Sequence, residues 1–296
     1  MNQQFTNSNS APKLLNVGCG RRFHHDWTNI DLESYDPAVA PCDITKGLPF
    51  EDNRFDGVYH SHVLEHLDPQ DGEKLLDECY RVLRPGGVLR IVVPNLEQIA
   101  TLYLNYHREA WSGNESAAIN YKWMKMELLD QLVRSYSGGS MGQYMAGDEI
   151  KNSGFVRSRV GDEFSRCQDM GQSGDQHNPR KLSFAQRTGT RFKNAKLRFT
   201  RWTIRKLIGK DALRSFDEGM FRNQGEIHRW MYDRYSLKAL CSARGFTDFK
   251  VQTATESSIE NYQSFELDSE DGNIRKPDSL FVECKKNAVA SIRKAA

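Results

Sequence analysis

The sequence lacks several features that define broad classes of protein. It has no stretch of about 18 uncharged apolar residues, so no segment predicts a transmembrane helix. Its net charge is only +2, which excludes a histone-like basic protein and an acidic disordered chain. The six cysteines form no C-x-x-C pair, which argues against a zinc ribbon and a disulfide framework. The N-terminus is polar and does not resemble a signal peptide, and we therefore expect a soluble, cytoplasmic protein.

Short apolar runs alternate with turn signals between Lys13 and Leu96, which is typical of α/β proteins. With 296 residues, the chain can form one large domain or a domain with a sizeable insertion. Apolar residues at helical spacing predict a helix over Asp71–Leu83, and Pro85-Gly86-Gly87 ends it. The predicted strands of this region are Lys13–Val17, Trp27–Leu32, Ala40–Ile44, Phe55–Tyr59 and Val88–Val93.

The α/β rhythm stops at Asn95 and returns near the end of the sequence. Helices are predicted over Leu96–Tyr106 and Ala117–Tyr136, whereas the small residues of Gly138–Gly147 predict a loop. The later elements are a helix over Ser236–Ala243 and two strands, Phe246–Thr253 and Ser279–Cys284. We therefore predict an α/β domain over 13–95 and 229–287, a helical insertion or lid over 96–228, and polar tails at 1–12 and 288–296.

A glycine turn and a downstream acid carry the strongest chemical signal. Gly18-Cys19-Gly20 follows the first predicted strand, and Asp31 lies at the end of the second. Glycines let the backbone approach a ligand closely, and a carboxylate at the next strand end can accept both hydroxyls of a ribose. A second acid, Asp43, lies on the third predicted strand. Together these residues indicate a nucleotide-type ligand at the edge of the sheet.

These segments resemble the class I S-adenosylmethionine-dependent methyltransferases, most closely a bacterial small-molecule branch of the methyltransferase type 11 kind. The resemblance covers roughly Lys13–Asn95 and, more loosely, the end of the chain. Its motifs are LLNVGCG (14–20), NIDL (29–32), CDI (42–44), FDGVYHSHVLEHL (55–67) and ECYRVLRPGGVLRIVV (78–93). The resemblance implies a Rossmann-like, mostly parallel seven-stranded sheet with an antiparallel last strand and a helical insertion.

The resemblance also implies S-adenosylmethionine as the cofactor, bound at the edge of the sheet. The residues at the matching positions are Gly18, Cys19, Gly20, Arg21, Asp31, Asp43, Ile44, His60 and Ser61. The sequence departs from the family pattern at Asn16, where an acid is usual, and at Arg22, where a third glycine is usual. Only eleven positions separate Gly20 from Asp31, which leaves little room for the usual helix between them.

Methyl transfer requires a nucleophile positioned in line with the methyl group, and a base when the acceptor is a hydroxyl. His62 follows the fourth strand and His228 lies where the insertion rejoins the sheet, so each is a candidate base. The candidate acceptor contacts at that junction are Arg222, Glu226, Tyr232 and Asp233. The alternative is structural, with histidines and aromatics packed in the core and charges that cap the next helix. The expected acceptor is a small molecule, such as a sugar or a precursor of a cell-surface glycan or secondary metabolite.

The segment from His62 to His66 also fits the H-x-x-E-H pattern of inverted zinc proteases. Two histidines four residues apart share a face only on a stable helix, and such a site needs a third ligand. Asp68-Pro69 leaves barely more than one helical turn, and the preceding residues are strand-like. We therefore predict no metal site in this segment.

Basic residues concentrate in Arg180–Arg214, which contains twelve Lys or Arg, one acid and four aromatic residues. Three interpretations stay open: a solvated surface, contact with an anionic membrane or substrate, and nucleic-acid binding. No RNA-recognition or helix-turn-helix signature supports nucleic-acid binding, and a long lid argues against an open groove for a duplex. The alternative function is a non-catalytic module of the same fold that docks on membranes or polyanions through this segment.

Overall fold

The computed structural model describes residues 11–34, 36–147, 150–173 and 184–288. The described residues form two compact units. The first comprises the described parts of Met1–Thr101 and Arg229–Ala296, and the second comprises those of Leu102–His228. The first unit is an α/β structure, and the second is helical.

The first unit is built on a seven-stranded sheet. Its strands are β1 (Leu14–Val17), β2 (Thr28–Asp31), β3 (Val39–Pro41), β4 (Phe55–Ser61), β5 (Leu83–Pro94), β6 (Phe246–Gln252) and β9 (Ser279–Lys286). A separate hairpin pairs β7 (Ser269–Glu270) with β8 (Asn273–Ile274). The strand order is β3-β2-β1-β4-β5-β9-β6, with β1 to β5 parallel and β9 antiparallel to both neighbours. The predicted fold class is therefore confirmed.

The carboxyl ends of the parallel strands meet at one edge of the sheet. Val17 at the end of β1 pairs with Ile30 on one side and with His60 on the other. The chain passes from β1 outward to β2 and β3, and then returns to β4 on the opposite side of β1. Open α/β sheets bind ligands beyond the strand ends at such a reversal. A ligand is therefore expected to contact the segments that follow β1, β2 and β4.

Two helices cover one face of the sheet, α1 (Pro69–Val82) and α9 (Arg234–Ala243). Leu75, Leu76 and Cys79 recur at helical spacing on α1, and all three are buried. They share a core with inward-facing apolar side chains of the sheet and of α9. The sequence predicted both helices, because their apolar stripes are short but regular.

The other face of the sheet is covered by an irregular segment. Residues 18–27, between β1 and β2, form turns and no helix, whereas the spacing from Gly20 to Asp31 left room for about two helical turns. Ile259, Tyr262 and Leu267, which follow β6, pack against this face instead. The core on this face of the sheet therefore joins residues of the first strands to residues more than 190 positions later in the sequence.

Arg90 in β5 holds this irregular segment in place. Its side chain is fully buried, and it pairs with Asp268 at 2.8 Å and with Glu283 at 2.9 Å. The hydroxyls of Tyr59 and Tyr262 donate to the same Asp268 carboxylate, at 2.6 and 2.7 Å. A buried charge is tolerated only when it is paired and hydrogen bonded, and this network meets both requirements.

The described part of the second unit is formed by helices. α2 (Leu96–Trp111) continues into it from the first unit, and the others are α3 (Glu115–Val133), α4 (Gly139–Met145), α5 (Ser153–Val160), α6 (Asp162–Ser173), α7 (Phe184–Leu207) and α8 (Lys210–Arg222). The first residues of the basic segment, Arg180–Ser183, lie outside the described residues. Among the described helices, none combines the length and the apolar character that crossing a bilayer requires.

The loop predicted over Gly138–Gly147 is wrong, because α4 occupies most of it. The carboxylate of Asp130, on α3, accepts hydrogen bonds from the backbone N–H groups of Ser140 and Met141, at 2.7 and 3.4 Å. These N–H groups have no partner within the helix, and a carboxylate there satisfies them and complements the helix dipole. The residue that stabilises the start of α4 is therefore distant in sequence, and local composition does not reveal it.

Candidate active site

The turn after β1 is anchored to the end of β2. The backbone N–H groups of Gly18 and Cys19 both donate to the carbonyl oxygen of Ile30, at 2.8 and 3.1 Å. Gly18 and Gly20 have φ angles of +65° and +53°, a left-handed conformation that glycine adopts without strain. The Cys19 side chain is buried, and burial raises the pKa of its thiol to about 12, so it stays protonated.

The two glycines of this turn have different surroundings. A Cβ atom on Gly18 would lie only 2.5 Å from Cγ2 of Val63, in the segment after β4. A Cβ atom on Gly20 would meet no described atom within 4 Å. The turn is therefore packed against the segment after β4 on one side and open at Gly20, where a ligand has room to approach the backbone.

The structure brings Asp31 and the glycine turn together, as the sequence predicted. Oδ2 of Asp31 accepts the backbone N–H of Gly20 at 2.8 Å, and Oδ1 accepts that of Glu33 at 3.3 Å. The side chain is half-buried at the end of β2. An ionised carboxylate has about four acceptor positions, so Asp31 retains capacity for two further donors.

Asp43 follows β3 and caps a short 3₁₀ helix over Ile44–Lys46. Its carboxylate accepts hydrogen bonds from Lys46 and Thr45, and these contacts lower the pKa of Asp43 to about 2. The sequence predicted a third strand that ends at Ile44. The strand ends at Pro41 instead, because the Asp43 cap turns the chain. Ile44 is half-buried against the main core, and the backbone N–H of Cys42 donates to the carbonyl oxygen of Asp31 at 2.7 Å.

His60 and Ser61 lie at the end of β4, next to the glycine turn. The His60 side chain is fully buried, and neither ring nitrogen has a hydrogen-bond partner among the described residues. Burial lowers the pKa of His60 to about 4, so its ring is neutral at pH 7. Ser61 is half-buried. A buried polar ring without a partner is costly, and the role of His60 in cofactor binding stays a prediction.

His62 lies between a buried carboxylate and a hydroxyl. Its Nδ1 lies 3.0 Å from Oε1 of Glu65, which is fully buried, and its Nε2 lies 2.9 Å from Oγ of Ser279. His62 has a φ of +53°, an uncommon conformation for a residue with a side chain. Such strain is found at functional sites, where the surrounding structure holds it in place. The carboxylate and the ring therefore lie close enough to interact electrostatically.

The geometry does not support the zinc-protease interpretation of the H-x-x-E-H pattern. His62 is in a left-handed conformation, and the residues after it form a three-residue 3₁₀ helix, Leu64–His66. The pattern requires both histidines on one α-helix, and that helix does not form in this segment.

Three of the other predicted residues belong to the second unit. Arg222 ends α8. Glu226 accepts hydrogen bonds from the Gly138 backbone N–H at 2.8 Å and from Arg134 at 3.2 Å. His228 is buried, and its backbone N–H donates to the carbonyl oxygen of Gln131 at 2.9 Å. The contacts of Glu226 and His228 tie the end of the insertion to α3 and α4, and the roles of these three residues in acceptor binding or catalysis stay predictions.

Arg21, Tyr232 and Asp233 belong to the first unit. Arg21 is exposed beside the glycine turn. Tyr232 is buried in the main core, where burial raises the pKa of its hydroxyl to about 12. Asp233 caps α9 through a reciprocal pair of hydrogen bonds with Ser236, at 2.8 and 3.0 Å. These contacts give Tyr232 and Asp233 structural roles, as the alternative interpretation proposed, and their contact with an acceptor stays a prediction.

The sequence did not assign a role at this site to Val63, Glu65 or Ser279. From the sequence, Glu65 was considered only as part of the H-x-x-E-H pattern, although it lies just three positions after His62. Ser279 follows His62 by 217 positions, and only the pairing of β9 with β5 brings it to this edge. No local signal in the sequence indicates that contact.

A family model described as "Methyltransferase domain" matches residues 15–91. The "Probable S-adenosylmethionine-dependent methyltransferase" of Mycolicibacterium smegmatis is 34% identical over 99 residues, covering 28% of this chain and 38% of that protein. The tRNA N(3)-methylcytidine methyltransferase Mettl2 of Drosophila melanogaster is 45% identical over 42 residues, which cover 14% of this chain and 13% of that protein. The ubiquinone/menaquinone biosynthesis C-methyltransferase UbiE of Desulfotalea psychrophila is 48% identical over 46 residues, which cover 16% of this chain and 18% of that protein. The chain therefore spans between 13% and 38% of the length of these relatives.

The two glycines of the turn predict different costs of substitution. Gly18→Ala combines left-handed strain with overlap on Val63, and we expect it to lower the free energy of unfolding by about 2 to 4 kcal/mol. Gly20→Ala adds strain without overlap, and we expect a loss of about 1 kcal/mol. Urea unfolding of both variants measures the difference. Equal losses would show that Val63 does not restrict the turn.

Proposed function

Residues 15–91 form a methyltransferase domain of the class I S-adenosylmethionine-dependent type, and on this premise we propose that the protein transfers a methyl group from S-adenosylmethionine to a small-molecule acceptor. The observation that carries the proposal is the hydrogen bond from the Gly20 N–H to Asp31 Oδ2. It joins the glycine turn and the carboxylate at the sheet edge where open α/β folds bind nucleotides.

The residues of this edge fit the cofactor. The backbone at Gly20 is open to a ligand, and Asp31 has acceptor positions for the two ribose hydroxyls. Ile44, which follows β3 by three residues and is half-buried, is the proposed apolar contact for the adenine ring. His60 contributes a neutral ring whose nitrogens lack a partner among the described residues. The bound cofactor would supply a methyl group already activated on a sulfonium, so positioning accounts for most of the catalysis.

His62 is the base in this proposal. The acceptor atom would bond to the methyl carbon as the carbon–sulfur bond of the cofactor breaks and S-adenosylhomocysteine leaves. The acceptor's proton would pass to Nε2 of His62, directly or through the hydroxyl of Ser279. Glu65 stabilises the imidazolium that forms, because its carboxylate lies 3.0 Å from Nδ1. Glu65 is therefore a positioning residue, and His62 is the residue that exchanges a proton with the acceptor.

The acceptor class is inferred from the organisation of the chain. The name of one relative specifies tRNA, and the name of another specifies ubiquinone and menaquinone biosynthesis, so the names alone select no acceptor. The insertion leaves and rejoins the first unit at one place, because Asn95 forms a bridge with Tyr232 immediately after β5. An insertion attached at this edge suits a lid that excludes water from a small acceptor.

Removal of the Asp31 carboxylate tests cofactor binding. We expect Asp31→Ala to weaken S-adenosylhomocysteine binding by at least about tenfold, because a charge-assisted hydrogen bond contributes roughly 1.5 to 3 kcal/mol. Isothermal titration calorimetry measures the affinity. Glu51→Ala, which removes an exposed carboxylate elsewhere in the same unit, is the control and should bind normally. No binding by the parent protein, or normal binding by Asp31→Ala, would refute the proposed cofactor site.

Substitution of the proposed base separates catalysis from binding. We expect His62→Asn to lower the methyl-transfer rate by about 100-fold or more with unchanged S-adenosylhomocysteine affinity, since asparagine tolerates a positive φ. Glu65→Gln should slow transfer less and shift its pH profile, because the charge that supports the imidazolium is lost. The rate is measured as label transferred from methyl-labelled S-adenosylmethionine to a host metabolite and glycan extract. A full rate for His62→Asn at every pH would exclude His62 as the base.

A further inference from the structure

In the second unit, a basic helix, α7, is joined by an apolar turn to α8, whose three cations and three acids balance. α7 and α8 are joined by Ile208 and Gly209, and Gly209 has a φ of +112°. The backbone N–H groups of both residues donate to the carbonyl oxygen of Ile204, at 2.9 and 3.1 Å, which closes the end of α7. Arg201 on α7 pairs with Asp217 on α8 at 2.8 Å and ties the two helices together. We call Leu207 and Ile208 the hairpin tip.

The hairpin tip and the nearby helix surface expose large apolar side chains. Leu207 is 79% exposed and Ile208 is 73% exposed. Phe199 and Trp202, about two turns and one and a half turns before the tip, are 67% and 58% exposed. Their rings stack with centroids 6.0 Å apart. Single exposed apolar residues are ordinary, but four within ten positions of the chain are not, and we call these four residues the apolar patch.

Cations lie close to this apolar patch along the chain, and one acid, Asp211, follows Lys210. Lys206 and Lys210 flank the hairpin tip, and Arg198 and Arg205 lie on α7; all four are exposed. The whole segment Arg180–Arg214 contains twelve Lys or Arg and one acid, whereas the rest of the chain has 29 basic and 38 acidic residues, so the positive charge is concentrated here. The partner must therefore offer an apolar interior together with negative charge at its surface.

We propose that the hairpin tip inserts into the surface of an anionic phospholipid bilayer. Leu207 and Ile208 enter the boundary between headgroups and acyl chains, and Lys206 and Lys210 contact the phosphates. Trp202 lies at headgroup depth, where its apolar ring and polar N–H are both accommodated. A single-stranded nucleic acid would use the aromatic rings and the cations, but it offers no environment for two exposed aliphatic side chains. The proposal rests on α7 and α8 alone and is independent of the methyl-transfer proposal.

Vesicle binding by the full chain tests the proposal. Vesicles of phosphatidylcholine mixed with phosphatidylglycerol should sediment the protein, whereas pure phosphatidylcholine vesicles should not. The double variant Leu207→Ser/Ile208→Ser should bind the anionic vesicles at least about tenfold more weakly, and Lys206→Glu/Lys210→Glu should show a similar loss. The matched controls are Val133→Ser, another exposed apolar residue, and Lys238→Glu/Lys250→Glu, which makes the same charge change elsewhere.

The depth of Trp202 provides a second readout. Anionic vesicles should shift the tryptophan emission to shorter wavelength, and Trp202→Phe should remove that shift while vesicles still sediment the protein. Equal binding to both kinds of vesicle, or unchanged binding by the tip variant, would overturn the proposal. Binding to single-stranded DNA that needs the lysines but not Leu207 and Ile208, without vesicle binding, would overturn it in favour of a nucleic-acid partner.

Discussion

The hydrogen bond between the Gly20 N–H and Asp31 is the interaction on which the candidate site depends. It joins the segments that follow two neighbouring parallel strands, and it fixes the carboxylate beside the one glycine of the turn that faces open space. Gly18 performs the complementary task, because the absence of a side chain there lets Val63 pack against the turn. Val63 is the neighbour of His62, so the same packing links the glycine turn to the proposed base.

The second face of the sheet shows how the fold tolerates a short connection between β1 and β2. The usual covering helix has no room there, and residues from the far end of the first unit pack in its place. Their attachment depends on Arg90, whose guanidinium is satisfied by two buried carboxylates. Removal of one partner would leave an uncompensated buried charge, so the network fixes the segment strongly although it is not helical.

Regular local patterns were predictable from the sequence, and contacts between distant residues were not. The strands, α1, α9 and the pairing of the glycine turn with Asp31 followed from apolar periodicity and strand-end chemistry. α4 was missed because its start is stabilised by Asp130 on another helix, which composition cannot indicate. Ser279 was missed because it reaches His62 only through the antiparallel pairing of β9, and the third strand was too long because Asp43 caps a turn.

Hydrogen-deuterium exchange of the full chain, with and without S-adenosylhomocysteine, tests the central claim most directly. If the turn and the carboxylate form one binding site, ligand should slow exchange in the peptides that contain Gly18–Gly20 and in those that contain Asp31, because ordering either segment orders the other. Protection of one segment without the other, or unchanged exchange in both, would contradict the account.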